Sequence, residues 1–233
     1  SIGGAGALSL YSGAVGTFNT ALGVGAFSLD HSTGTLTSDL STAVTEVSIA
    51  FSTLNGAVTV TDATGKTAYV IESTIQPAWV NQGTLKAGGP SNLNGALTTS
   101  AGSLIQVQGG LNGNTAQVNV ASGFTNQGTI ELGNVGSAYD ARLRVVSGTL
   151  VNAAGATIQS LQNIGGQRRI EAQLDNQGTV TIDWPTTLDW ASSDHVNSGT
   201  INVNANLTVN QTGTTPSFTN TGTITTSAGQ ALL

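Results

Sequence analysis

The chain has 233 residues, of which 38% are hydrophobic, 8% charged and 5% aromatic, and its net charge at pH 7 is −6. Six Lys and Arg residues are too few for a phosphate-binding surface, which excludes nucleic acid as a partner. There is no Cys, hence no disulfide staple, and no apolar run approaches the ~18 residues of a membrane span, so no membrane insertion is expected.

In chain order, residues 1–30 are rich in Gly and Ala and carry no charge before Asp30. They lack the basic segment and long apolar core of a signal peptide and read as an N-terminal edge or cap. The absence of Met predicts an excerpt or processed product of a longer protein. Three short triplets follow, Gly16-Thr17-Phe18, Gly34-Thr35-Leu36 and Gly56-Ala57-Val58, each a turn residue leading into an extended segment.

From residue 79 a fuller phrase recurs: Trp79-Val80-Asn81-Gln82-Gly83-Thr84-Leu85, then Phe124 to Ile130, Leu174 to Val180, His195 to Ile201 and Phe218 to Ile224. Looser copies, Leu97 to Ile105 and Leu150 to Ile158, have one extra residue on each side of the Gly. The Asn position falls at 81, 99 (a Thr), 126, 152, 176, 197 and 220, at intervals of 18, 27, 26, 24, 21 and 23 residues. A period of about 23 residues is that of a solenoid. The apolar residues are too sparse for a helical stripe, Asn-x-Gly is turn chemistry, and Thr-Ile or Thr-Val is strand chemistry. A coil of that length holds about three short strands and three bends.

The expected fold is therefore all-β: a parallel β-helix of up to ten coils counted from Gly16 to Gly222, forming one unit over residues 1–233, most regular over 79–233. Leu85, Ile130, Ile158, Val180, Ile201 and Ile224 should form an interior ladder. Asn81, Asn126, Asn152, Asn176, Asn197 and Asn220 should form a second ladder at one corner, bonding coil to coil.

The phrases Phe124–Ile130, Leu150–Ile158 and Phe218–Ile224 resemble repeats of bacterial surface β-solenoids, among them filamentous-haemagglutinin-like and autotransporter adhesins and giant β-strand-repeat surface proteins. The resemblance implies a right-handed coil, export to the cell surface, and a structural or adhesive role whose partners are surface glycans or ligands on host or neighbouring cells. The Asn-Pro-Asn secretion signature of the haemagglutinin family is absent.

Chemistry is concentrated in one stretch, Asp183-Trp184 and Asp189-Trp190 followed by Asp194 and His195. Paired carboxylates beside indoles suit a carbohydrate-binding or polysaccharide-cleaving site. The simpler interpretation is that the indoles pack, the Asp residues face water, and His195 replaces the apolar residue that opens the other phrases. Arg142, Arg144, Arg168 and Arg169 read as a solvated face offset by Asp140 and Glu171. Thr-x-Thr pairs at 35/37, 59/61, 179/181 and 223/225 suggest an ice-binding array, but Lys86, Gln106, Glu131, Gln159 and Asn202 interrupt it. No calcium nonapeptide or metal-ligand spacing is present, so neither enzyme activity nor a cofactor is expected. The uncharged closing segment Ser227–Leu233 and the uncharged start predict head-to-tail self-association through unprotected strand edges.

Overall fold

The computed structural model describes residues 2–43 and 45–233. Among them are 28 strands and no helix, so no helix is long and apolar enough to cross a membrane. The strands pair in parallel and stack as a β-solenoid of about 11 turns, roughly 21 residues apart. One sheet of 11 strands runs from Ile2–Tyr11 to Thr223–Thr226; two further sheets of 13 and 4 strands complete the coil.

Alternation decides what is inside. Strands such as Thr179–Ile182 and Thr200–Val203 bury every second residue and leave its neighbours half-exposed. In register up the first sheet stand Leu8, Phe27, Val47, Ala68, Leu85, Ile105, Ile130, Ile158, Val180, Ile201 and Ile224. Ile130 is 0% exposed and Ile201 3%, while Leu8 and Ile224, on the outermost strands, are only partly buried.

This ladder corrects the expected coil count and the upstream phase. Gly16-Thr17-Phe18 and Gly34-Thr35-Leu36 lie on Val15–Phe18 and Thr33–Leu36 of the second sheet, and Gly56-Ala57-Val58 precedes Thr59–Asp62 of the third. A Gly-Thr-apolar triplet marks a turn entering any strand, so it does not select a face. The true lower rungs are Leu8, Phe27, Val47 and Ala68, and from Leu8 to Ile105 the spacing is only 17 to 21 residues. Shorter lower coils fit more turns into the same length. Residues 2–30 form the edge strand Ile2–Tyr11 and two more strands of these same sheets.

Two corners are built differently. Where the first sheet turns into the second, Ser12, His31, Phe51 and Glu72 all take a left-handed backbone, with φ between 46° and 54°. Gly89 follows at φ 60°, where a Cβ would overlap the Glu72 side chain. Behind this corner the Ser52 hydroxyl accepts from Ser32 N–H at 3.0 Å, Ser73 from Ser52 N–H at 3.1 Å, and Ser91 from Ser73 N–H at 3.4 Å. At the Asn-x-Gly corner a left-handed glycine is found in the looser copies, at Gly102 (φ 79°) and Gly155 (φ 84°), and at Gly65 (φ 73°) lower in the stack. Gly83, Gly128, Gly178, Gly199 and Gly222 have no positive φ. They are glycines because a Cβ would overlap carbonyl oxygens of the coil below. Close approach, not backbone handedness, fixes them.

Candidate functional site

The Asn corner holds a chain of buried amides. Asn126 Nδ2 donates to Asn152 Oδ1 at 2.9 Å, Asn152 to Asn176 at 2.8 Å, Asn176 to Asn197 at 2.7 Å, and Asn197 to Asn220 at 2.7 Å. Each of the four donors also reaches a carbonyl on the coil above, Thr157 O, Thr179 O and Thr200 O at 3.1 Å and Thr223 O at 3.4 Å. Asn126, Asn152, Asn176 and Asn197 are 0% exposed. Below them the rungs change: Thr99 pairs in register with Asn81, and Asn81 with Asp62. Thr99 Oγ1 donates to Thr125 O at 3.1 Å and accepts from Gln127 N–H at 2.7 Å. Amides saturated by each other in this way hold coils together and leave nothing to meet a substrate.

The carboxylates of the Asp183–His195 coil stand at separate places around it. Asp183 follows the first-sheet strand Thr179–Ile182, Asp189 ends the second-sheet strand Thr186–Asp189, and Asp194 opens Asp194–Asn197. Each is engaged: Asp183 accepts from Asn204 at 2.8 Å, Asp189 from Arg169 at 3.1 Å and Asn210 at 3.0 Å, and Asp194 from Ser217 at 2.6 Å. Both indoles are half-buried. Trp184 Nε1 donates to Gly166 O at 2.8 Å, and the Arg144 guanidinium lies 5.5 Å from the Trp190 ring.

One contact in this coil has the composition of a nucleophile and its base. Ser193 Oγ lies 2.9 Å from His195 Nε2, with both residues buried. The polarity runs the wrong way for activation. Leu174 N–H donates to His195 Nδ1 at 3.1 Å, so Nδ1 is the acceptor and Nε2 carries the proton. His195 therefore donates to Ser193, whose hydroxyl hydrogen goes to Trp190 O at 2.8 Å. Burial pushes the His195 pKa down to about 4, and the nearby Asp194 opposes it. The ring packs 6.4 Å from Phe218, its in-register neighbour at the start of the next phrase.

The arginine group divides. Arg142 pairs with Asp140 at 2.6 Å and Arg169 with Asp189 at 3.1 Å. Arg168 contradicts the solvated-face expectation: it is 0% exposed, in register with the buried Ala141 and Thr186. Strand alternation puts residues 168 and 169 on opposite faces. Arg168 Nη1 donates to Tyr139 O and Gln167 O, the Trp184 ring lies 5.9 Å away, and Nε and Nη2 have no partner among the described residues. Burial lowers its pKa and Asp140 opposes that.

The Thr-x-Thr pairs do not share a face: 35/37 belongs to the second sheet and 59/61 to the third, with 179/181 and 223/225 on the first. A threonine column one residue wide does run through Thr129, Thr157, Thr179, Thr200 and Thr223 on the first sheet, and a shorter one through Thr33, Thr53 and Thr74 on the second. The column beside it carries Glu131, hydrogen-bonded to Gln106 and Gln159 at 2.8 Å. A groove of about 520 Å³ outside the first sheet is lined by residues including Thr42, Glu46, Lys66 and Tyr69. Among the described residues no three His, Asp or Glu side chains are grouped to hold a metal ion. Compared with known proteins, the chain matches no family model, no curated protein and no solved structure.

Proposed function

We propose that the chain is a non-catalytic, load-carrying segment of an extracellular bacterial surface protein, a rigid rod that spaces or displays an adhesive site. The observation that carries this reading is the continuity of the stack. Eleven strands follow one another in the first sheet, and at ~4.8 Å per strand they give a rod about 50 Å long. Side-chain ladders at two corners add bonds along the same axis. Repeats that touch only their neighbours transmit tension from coil to coil through these parallel bonds. In this reading the ligand is a surface glycan or a protein on a host or neighbouring cell, met by the outward faces or by attached segments. Further turns, or a second copy head-to-tail, would pair with the open edges of Ile2–Tyr11 and Thr223–Thr226.

The test joins binding to chemistry. Beads carrying the protein should be retained by cells or by an array of surface glycans, and a polysaccharide panel should yield no reducing ends or unsaturated products. Asp183→Asn and Asp189→Asn should leave retention unchanged. Product release abolished by either substitution would replace the structural reading with an enzymatic one.

A further inference from the structure

Asp62 occupies the rung below Asn81 in the corner ladder and is 0% exposed. In the regular rungs one amide does two things: Oδ1 accepts from the rung below, and Nδ2 donates to the rung above. Asp62 Oδ1 does the first, accepting from Thr42 Oγ1 at 3.2 Å. Asn81 is oriented like the asparagines above it, its Nδ2 donating to Leu104 O on the next coil at 3.0 Å. Its Oδ1 is then the atom that should receive a bond from Asp62. Among the described residues that atom has no partner, and neither has Asp62 Oδ2. Two buried acceptors thus stand at the ends of the one link in the ladder that lacks a donor.

We propose that Asp62 is a neutral carboxylic acid in the folded protein, its Oδ2–H donating to Asn81 Oδ1, and that losing this proton breaks the corner ladder at one rung. A proton fits where an ion does not, because in-register side chains on strands ~4.8 Å apart meet directly. Burying an unpaired carboxylate is costly, whereas its acid form supplies the missing donor. Burial raises the Asp62 pKa from 3.8 to about 7, and the bond from Thr42 opposes that rise. The charged residues on the surrounding elements are Asp39, Glu46 and Lys66, all exposed, and Lys86, half-exposed on Thr84–Gly88. None of them hydrogen-bonds to Asp62, and among the described residues no ion pair neutralises it. Thr42, which touches Asp62, also lines the groove that holds Glu46 and Lys66, giving the released proton a short way to solvent.

The sign follows from linkage. Between 3.8 and about 7 the folded chain holds a proton that the unfolded chain has lost. The contribution of Asp62 is therefore complete below 3.8, is lost as pH rises through the interval, and stays lost above about 7. The slope is about tenfold in the folding equilibrium constant per pH unit. Asp62→Asn supplies a permanent donor with the same shape.

Carbon-13 NMR of the Asp62 carboxyl in the intact wild-type chain should show the acid form at pH 5 and a midpoint near 7. Urea unfolding should show the wild type losing stability relative to Asp62→Asn by about tenfold per pH unit from pH 4 to 7. An ionised carboxyl at pH 5 overturns the proposal even if the variant fails to fold. A wild-type-to-variant difference that is flat across this range overturns it as well.

Discussion

The two halves of the Asn corner solve the same problem with different chemistry. Above Thr99, asparagine follows asparagine, and every link is amide to amide at 2.7 to 2.9 Å. Below it the rungs are Thr42, Asp62, Asn81 and Thr99, and their upward links are hydroxyl to carboxyl, acid to amide, amide to backbone, and hydroxyl to backbone. The backbone register is the same in both halves, so the pairing of strands does not need the ladder to be uniform. What the ladder requires is one acceptor facing down and one donor facing up. An amide meets that requirement at any pH, and a carboxyl only while it keeps its proton.

The largest expected effect tests whether the halves share one core. Ile49→Ala in the lower half and Ile130→Ala in the upper should each cost ~2–5 kcal/mol, because both side chains are fully buried. Thr129→Ala, on the outward side of the same strand, should change stability far less. Urea titration reads all three, and equal effects from Ile130→Ala and Thr129→Ala would show that the inward register is wrong.

A somewhat smaller effect concerns the second buried titrating group. His195 has its pKa depressed to about 4 from 6.5, so the unfolded chain holds a proton that the folded chain lacks between those values. Stability from this residue is present above 6.5 and is lost as pH falls through about 4, at ~1.4 kcal/mol per unit. The sign is opposite to that of Asp62, so the two slopes offset each other in the wild type. His195→Phe, the residue used at Phe124 and Phe218, should remove the acid-side loss and leave melting temperature falling as pH rises from 4 to 7. If instead the variant's melting temperature stays level over this range, the opposition is absent.

The smallest effect sharpens the difference between rungs. Asn152→Ala leaves Asn126 Nδ2 without its rung partner and Asn176 Oδ1 without its donor, at ~1–3 kcal/mol. Thr99→Ala removes one hydroxyl that bonds only backbone groups and should cost less. Hydrogen exchange of the neighbouring strand amides would locate the loss, and a larger loss from Thr99→Ala would reverse the ranking.

Much of the stack was legible because Asn-x-Gly-Thr-Ile repeats residue for residue above position 79. The lower copies are disguised because each position keeps its geometry while changing its chemistry. Val60-Thr61-Asp62-Ala63-Thr64-Gly65-Lys66-Thr67-Ala68 has the same spacing as Leu150-Val151-Asn152-Ala153-Ala154-Gly155-Ala156-Thr157-Ile158. Asp for Asn and Ala for Ile hid it, and with it the buried carboxyl. Arg168 was also readable: counting back by twos from Asn176 through Leu174, Ala172 and Ile170 places it inside. Its charge argued for the surface, and alternation prevailed. The left-handed corner at His31, Phe51 and Glu72 carried no glycine or asparagine to announce it.

The amides of the upper ladder all point one way, carbonyl toward the N-terminal coils and NH₂ toward the C-terminal ones. The ladder is therefore an arrow. At its C-terminal end Asn220 Nδ2 points onward with hydrogen to offer, and aligned bonds of this kind polarise one another. A neighbour set down tip to tip at Asn220 would bring donor against donor. Any assembly through this corner inherits a direction from a side chain no larger than an amide.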